Sequence, residues 1–182
     1  MSMNTGLNSE AIARVFLVEN HALLRQGLRD FVNQQDGLTV VGESDSGEEA
    51  IPEIGRLLPD LVLMDISLNG LSGIETTRHI KSAWPRMTVL GFTLHADRGY
   101  LQQMLQAGAS GYVPKISPAD VLREAIHTVL KGQLYIDPSL TNGLEPPAAS
   151  PVIPAGVLSE QEQEVVRQVA QGARDLADRH IL

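Results

Sequence analysis

A chain of 182 residues, 43% hydrophobic and 20% charged, is long enough for one well-buried domain and a smaller piece. Its formal net charge of -8 argues against a nucleic-acid surface on the bulk of the chain, and the absence of cysteine removes disulfides and thiolate metal sites. No apolar run approaches the ~18 residues of a membrane span and no apolar core opens the chain, so an unexported, cytoplasmic protein without a membrane partner is expected.

After a polar start, residues 14–18 read as a strand, followed directly by Glu19, Asn20 and His21. A helix over 21–33 places Leu24, Leu28, Phe31 and Val32 on one face. Residues 38–42 make a second strand. Ser46 and Glu49 then have capping-box spacing and open a helix expected to bury Ala50, Ile51, Ile54, Leu57 and Leu58. Pro52 lies deep in that helix, so a kink or a late start is expected. Leu61, Val62, Leu63 and Met64 form a short, unbroken apolar run ending on Asp65, the pattern of a central parallel strand buried on both faces.

A turn through Asn69 and Gly70 leads to a helix with Ile74, Thr77 and Ile80 inward, closed by Pro85. A fourth strand over 88–92 ends at Thr93, and a helix over 96–107 carries Leu101, Met104 and Leu105. Tyr112 and Val113 form a short fifth strand, with Gly108 and Gly111 allowing tight turns before it and Lys115 ending it. A helix over 117–130 buries Val121, Leu122, Ala125, Ile126, Val129 and Leu130. Five rounds of strand and helix imply an α/β fold: a doubly wound, five-stranded parallel sheet with right-handed crossovers.

Residues 12–134 are thus one domain, 135–157 a Pro-rich linker, and 158–182 a short helical fragment. Trp84 reads as packing at a helix end, and Glu160, Glu162 and Glu164 as a solvated helix face.

In a doubly wound sheet of order 2-1-3-4-5, the first, third, fourth and fifth strands are neighbours, and ligands bind at their carboxyl ends. Those ends carry Glu19 and Asn20, Asp65, Thr93, and Lys115. An Asp in such a turn can simply bond its own backbone. The whole set offers more: oxygen ligands suited to Mg²⁺, a hydroxyl, and a fixed cation able to meet a phosphate. Asp65 is then a candidate nucleophile for a phosphoryl group. Lys115, at a strand end with solvent at hand, is expected to have little core role, so that Lys115→Ala leaves the fold intact.

Residues 15–21, 60–66 and 107–115 together resemble the receiver domain of bacterial two-component response regulators, a flavodoxin-like fold. The stretch from Leu158, Ser159 and Glu160 onward is similar to the start of the helix-turn-helix domain of the NarL/FixJ (LuxR-type) subfamily. The resemblance implies phosphorylation of Asp65 by a sensor histidine kinase with Mg²⁺, assisted by the receiver itself, which is otherwise no enzyme. It also implies phosphoryl contacts from Thr93 and Lys115, a metal site of Glu19, Asn20, Asp65 and the Ser67 backbone carbonyl, and a switch made by Thr93 and Tyr112. Phosphorylation would then change dimerisation or domain contact, with a homodimer on activation, and so control DNA binding and transcription.

Two positions depart from the family's pattern. Asn20 stands where a second acidic residue is usual, so Mg²⁺ is expected to bind weakly. Asn69 replaces the usual Pro after the nucleophile. Asn20 leaves open a receiver that signals as a protein-interaction module without the phosphate. A flavin- or nucleotide-binding enzyme on the same fold is disfavoured, since no Gly-rich loop follows the first strand and Glu19 would repel a phosphate there. His21 reads as a surface or capping residue, and His95 as either a plain loop residue or one that tunes loss of the phosphoryl group. The recognition helix that follows in the resembled subfamily lies past Leu182, and residues 158–182 carry five acidic residues against three Arg. DNA is therefore an expected partner of a full-length protein, with no specific binding expected of this chain as given.

Overall fold

The computed structural model describes residues 11–141. Six strands, β1 (Ala13–Val18), β2 (Leu38–Ser44), β3 (Leu61–Met64), β4 (Thr88–Thr93), β5 (Gly111–Pro114) and β6 (Tyr135–Ile136), form one parallel sheet in the order β2-β1-β3-β4-β5-β6. The connecting helices are α1 (Ala22–Asn33), α2 (Gly47–Leu57), α3 (Gly73–Ala83), α4 (Arg98–Gln106) and α5 (Ala119–Leu130), with a short α6 (Pro138–Thr141) after β6.

Successive strand residues point to opposite faces, and two cores follow from that alternation. Val15, Leu17, Leu61 and Leu63 pack with α1 and α5 through Leu28, Val32, Leu122 and Ile126. Phe16, Val18, Val62 and Met64 pack with α2, α3 and α4 through Ile54, Ile80 and Met104. Helices on both sides explain why β3 is buried along its whole length. Among the described residues no helix is long and apolar enough to cross a membrane.

The structure departs from the sequence reading at several element ends. The sheet has a sixth strand: residues 135–141, expected as the start of the linker, pair with β5 and continue into α6. Two strand residues, followed by Asp137 and Pro138, carry too little pattern to be read as a strand. Gly111 lies inside β5 rather than in the turn before it, paired with Tyr135 of β6, where a Cβ would meet the Tyr135 carbonyl oxygen at 2.8 Å. The start of α2 is not delayed by Pro52, which sits on the exposed side of the helix. Leu58 is 54% exposed, since it ends α2 in the left-handed region at φ 47° and turns away from the core. Asp97 accepts from the Gly99 and Tyr100 amides and so starts α4 later than expected, at Arg98. The rest of the expected linker and the expected helix-turn-helix fragment over 158–182 lie outside the described residues.

Register sets the site. Val18 pairs with Met64, and Met64 with Gly91, so β1 and β3 end level at the carboxyl edge and β4 runs two residues further, to Thr93. The α3 helix begins against that edge, where Ser72 and Glu75 form a reciprocal capping box. Gly73 allows this approach: a Cβ there would fall on the Asp65 carbonyl oxygen and lie 2.8 Å from Ile66 Cα, both backbone atoms that cannot swing aside. Helix propensity alone favours Ala over Gly by about 1 kcal/mol, but the overlap is the larger effect. Gly73→Ala should lower stability by about 3 kcal/mol. Urea unfolding followed by circular dichroism measures it, and an unchanged midpoint would show that α3 can back away from β3 at little cost.

Candidate active site

Parallel strands bring the residues that follow them to one edge, and here that edge holds Glu19, Asp65, Thr93 and Lys115. Backbone hydrogen bonds extend the ladder past the strand ends, from Asp65 N to Val18 O at 2.9 Å and from Lys115 N to Thr93 O at 2.7 Å. Both carboxylates are buried, Glu19 at 1% and Asp65 at 2% exposure. Between them lies Lys115, whose Nζ is 2.6 Å from Glu19 Oε2 and 2.8 Å from Asp65 Oδ2. The contact to Glu19 is an ion pair without hydrogen-bond angles, and the one to Asp65 is a charge-assisted hydrogen bond.

This geometry corrects the expectation for Lys115. Its side chain is only 4% exposed, so solvent is not at hand. The ladder bond to Thr93 holds its backbone over the edge, and its contacts to Glu19 and Asp65 hold the ammonium inside the pocket. Two acids and one ammonium leave the cluster one negative charge, since Asn20 adds none.

Asn20 donates from Nδ2 to the Ser67 carbonyl at 2.8 Å, which leaves its Oδ1 buried with no hydrogen-bond partner among the described residues. A buried amide oxygen free of hydrogen bonds, next in sequence to Glu19, adds to the carboxylates the kind of oxygen donor that suits a hard cation. Ligand atoms of Glu19, His21 and Asp65 also lie within 4.8 Å of one another. The side chain of His21 is 61% exposed and sets Nδ1 3.0 Å from Glu19 Oε1. It stands at the N-cap of α1 but makes no side-chain cap bond.

A second network crosses the mouth of the site. Ser67 Oγ and His95 Nε2 are 2.8 Å apart, linking the loops after β3 and β4. The His95 ring stacks on Tyr100 with centroids 3.9 Å apart. Tyr112 is fully buried and donates its hydroxyl to the His95 carbonyl at 2.7 Å. Burial pushes the Tyr112 phenol well above its ordinary pKa, so it stays protonated as a donor. The Thr93 hydroxyl is also buried; it accepts a long 3.4 Å bond from the His95 amide and is bonded to neither carboxylate.

Sequence reasoning missed the Ser67–His95 link and the Arg25 guanidinium, which donates to the Glu19 carbonyl at 2.6 Å. Each joins segments whose approach depends on loop conformation. The two-residue offset of Ser67 from Asp65 and of His95 from Thr93 was the available signal. Glu48 in α2 accepts from the Leu71 amide at 2.7 Å and so braces the Asn69–Gly70 turn, where Gly70 has φ 74°.

Residues 15–127 match the family model of the response regulator receiver domain. The response regulator GacA of Pseudomonas viridiflava is 35% identical over 159 residues, covering 86% of this chain and 74% of that one. The oxygen regulatory protein NreC of Staphylococcus aureus is 33% identical over 168 residues, covering 87% and 77%. Among solved structures, a LuxR-family two-component response regulator from Aurantimonas sp. superposes with a TM-score of 0.70 at 36% identity, over 72% of this chain and 94% of that one.

Removing the ammonium leaves two buried carboxylates facing each other, which costs roughly 3 kcal/mol when one partner of a buried pair is lost. Lys115→Ala should therefore be destabilised on that scale at neutral pH, and Mg²⁺ should recover part of the loss by supplying positive charge. Denaturant unfolding with and without the ion measures both. Wild-type stability in the variant would mean that water, not Lys115, balances the acids.

Proposed function

The chain belongs to the response-regulator family of two-component systems, with a receiver domain over residues 15–127, and on that premise we propose that Asp65 accepts a phosphoryl group from a sensor histidine kinase. The observation that carries this is a carboxylate at a strand end, 2% exposed, with an ammonium 2.8 Å from one oxygen. In the transfer, an Asp65 oxygen forms the new P–O bond as the P–N bond of a phosphohistidine breaks, and the departing imidazole keeps that electron pair.

Lys115 stands within reach to move its contact onto the phosphoryl oxygens. Thr93 keeps its own hydroxyl proton to donate there, since its present bond is one that it accepts. Turning toward the phosphoryl group would take Thr93 away from His95 and disturb the carbonyl on which Tyr112 rests. Glu19, Asn20, Asp65 and the Ser67 carbonyl would hold Mg²⁺, a set supported by the unpartnered Asn20 oxygen. The ion, when bound, supplies neutralising charge for the transferring group.

Receivers of this family are regulatory rather than conventional enzymes. The output proposed here is a change of dimerisation or domain contact that alters DNA binding by the region after the receiver. Residues 158–182 of that region are outside the described residues.

Acetyl phosphate with Mg²⁺ should shift the wild type on a phosphate-affinity gel and leave Asp65→Asn unshifted. A wild type that never shifts would support the phosphorylation-independent interaction module instead. For the metal, Asn20→Asp should bind Mg²⁺ roughly tenfold more tightly by calorimetry, the scale of effects around a metal's ligands. Equal affinities would remove Asn20 from the ligand set.

A further inference from the structure

Asp137 is a buried acid that the phosphorylation chemistry does not use. It is 3% exposed, lies just after β6, and takes part in no ion pair among the described residues. Its carboxylate accepts from neutral donors: Ser117 Oγ on Oδ2 at 2.5 Å and the Ser139 amide on Oδ1 at 2.8 Å. A carboxylate held without a cation costs stability that an apolar residue would not, so its place invites a positional explanation.

Ser117 supplies one. Its amide donates to the Pro114 carbonyl at 3.0 Å and closes a tight turn whose two central residues are Lys115 and Ile116. The far end of the Lys115 turn is therefore tied to Asp137. The same segment is tied to the strand that carries Tyr112: the Asp137 amide donates to the Tyr112 carbonyl at 3.0 Å, and the Tyr135 amide to the Ser110 carbonyl at 3.1 Å. Leu140, 8% exposed, belongs to the apolar cluster that contains Tyr112 and Met104.

We propose that the Ser117–Asp137 hydrogen bond couples the Lys115 turn to residues 135–141, making this segment the place where the state of the phosphorylation site is read as the chain leaves the receiver. The coupling rests on Asp65 as phosphoacceptor for its physiological trigger. The present arrangement holds Lys115 against both Glu19 and Asp65 while Ser117 is bonded to Asp137. A phosphoryl group on Asp65 draws the ammonium to new oxygens, the short turn moves with it, and the Ser117 hydroxyl withdraws from Asp137. The segment then loosens at β6 and α6. By linkage, loosening the segment must in turn favour the displaced position of Lys115. Asp137 is a positioning residue in this scheme and makes no contact with the reacting atoms.

Hydrogen exchange at the Asp137 and Leu140 amides of the full 182-residue chain tests the coupling, with intact mass recording whether acetyl phosphate and Mg²⁺ have added a phosphoryl group. Exchange at both amides should quicken about tenfold on phosphorylation, the scale of losing one hydrogen bond to a charged group. Ser117→Ala should exchange quickly from the outset and show no further change, although it still takes up the phosphoryl group. Ser117→Thr, which keeps the hydroxyl, should restore the wild-type response.

Lys115→Ala, without any phosphoryl donor, should also quicken exchange at the two amides, and by more than at the core amides of β1 and β3, which record its global loss of stability. Phosphorylated wild type with unchanged exchange, or Ser117→Ala that responds like wild type, would overturn the coupling. Were no phosphoryl group added while Lys115→Ala still loosened the segment, the coupling would stand and the phosphoacceptor reading would fall. With neither response, both fall.

Discussion

An ammonium held between two carboxylates is expensive to bury, and the position of Lys115 between Glu19 and Asp65 constrains much of what surrounds it. Charges taken out of water stabilise one another only when geometry is good and the remaining lone pairs are met. Here the Ser67 amide reaches Asp65 Oδ1 at 3.3 Å, the His21 amide reaches Glu19 Oε1 at 2.9 Å, and Arg25 anchors the Glu19 backbone. The loops that donate these bonds cannot move without exposing an unbalanced charge. Asn20 changes the balance further. A third carboxylate would call for a divalent ion, whereas a neutral amide lets one ammonium serve most of the charge. Were Mg²⁺ held as proposed, it would share Glu19 and Asp65 with Lys115, and the neutral Asn20 would leave more of the charge to the lysine.

Parallel topology makes the cluster affordable in conformational terms. Glu19, Asp65 and Lys115 are far apart in sequence, yet each follows the end of a strand whose register is set by a full apolar core on both faces. Once the sheet forms, three side chains are delivered to one place with little further ordering. Close approach of backbone completes the arrangement. Gly73 lets α3 begin directly on the Asp65 carbonyl, and Gly91 in β4 leaves room beside Tyr112, whose ring a Cβ there would meet at 3.2 Å.

Around the cluster are two hydrogen-bonded networks. The Ser67–His95 bond joins the loops over the pocket mouth, and the His95 carbonyl in turn holds the Tyr112 hydroxyl. On the other side the Lys115 turn leans on Asp137. Tyr112 belongs to both, through its hydroxyl on one side and its main-chain carbonyl on the other. A packed, hydrogen-bonded network of this kind tends to hold discrete arrangements rather than deform by degrees, which is what a two-state regulator requires.

Strand and helix periodicity, the apolar run that ends on Asp65, and the residue after each strand were all legible in the sequence, because backbone pattern and topology rules depend on local order and a few general preferences. From these came the α/β class, and taking the doubly wound order 2-1-3-4-5 brought Glu19, Asn20, Asp65, Thr93 and Lys115 to one edge. The family resemblance added the chemistry that such a convergence serves. What the sequence could not carry was side-chain burial and non-local pairing. Lys115 read as a solvated end residue, since nothing local indicates that its stem folds back between two acids. Residues 135–141 read as linker, because a two-residue strand has no period and is defined only by the β5 edge that it joins. The Ser67–His95 and Ser117–Asp137 bonds link loops separated by 28 and 20 residues. Those partners are chosen by how the whole sheet twists and packs, a property that exists only once the chain has folded.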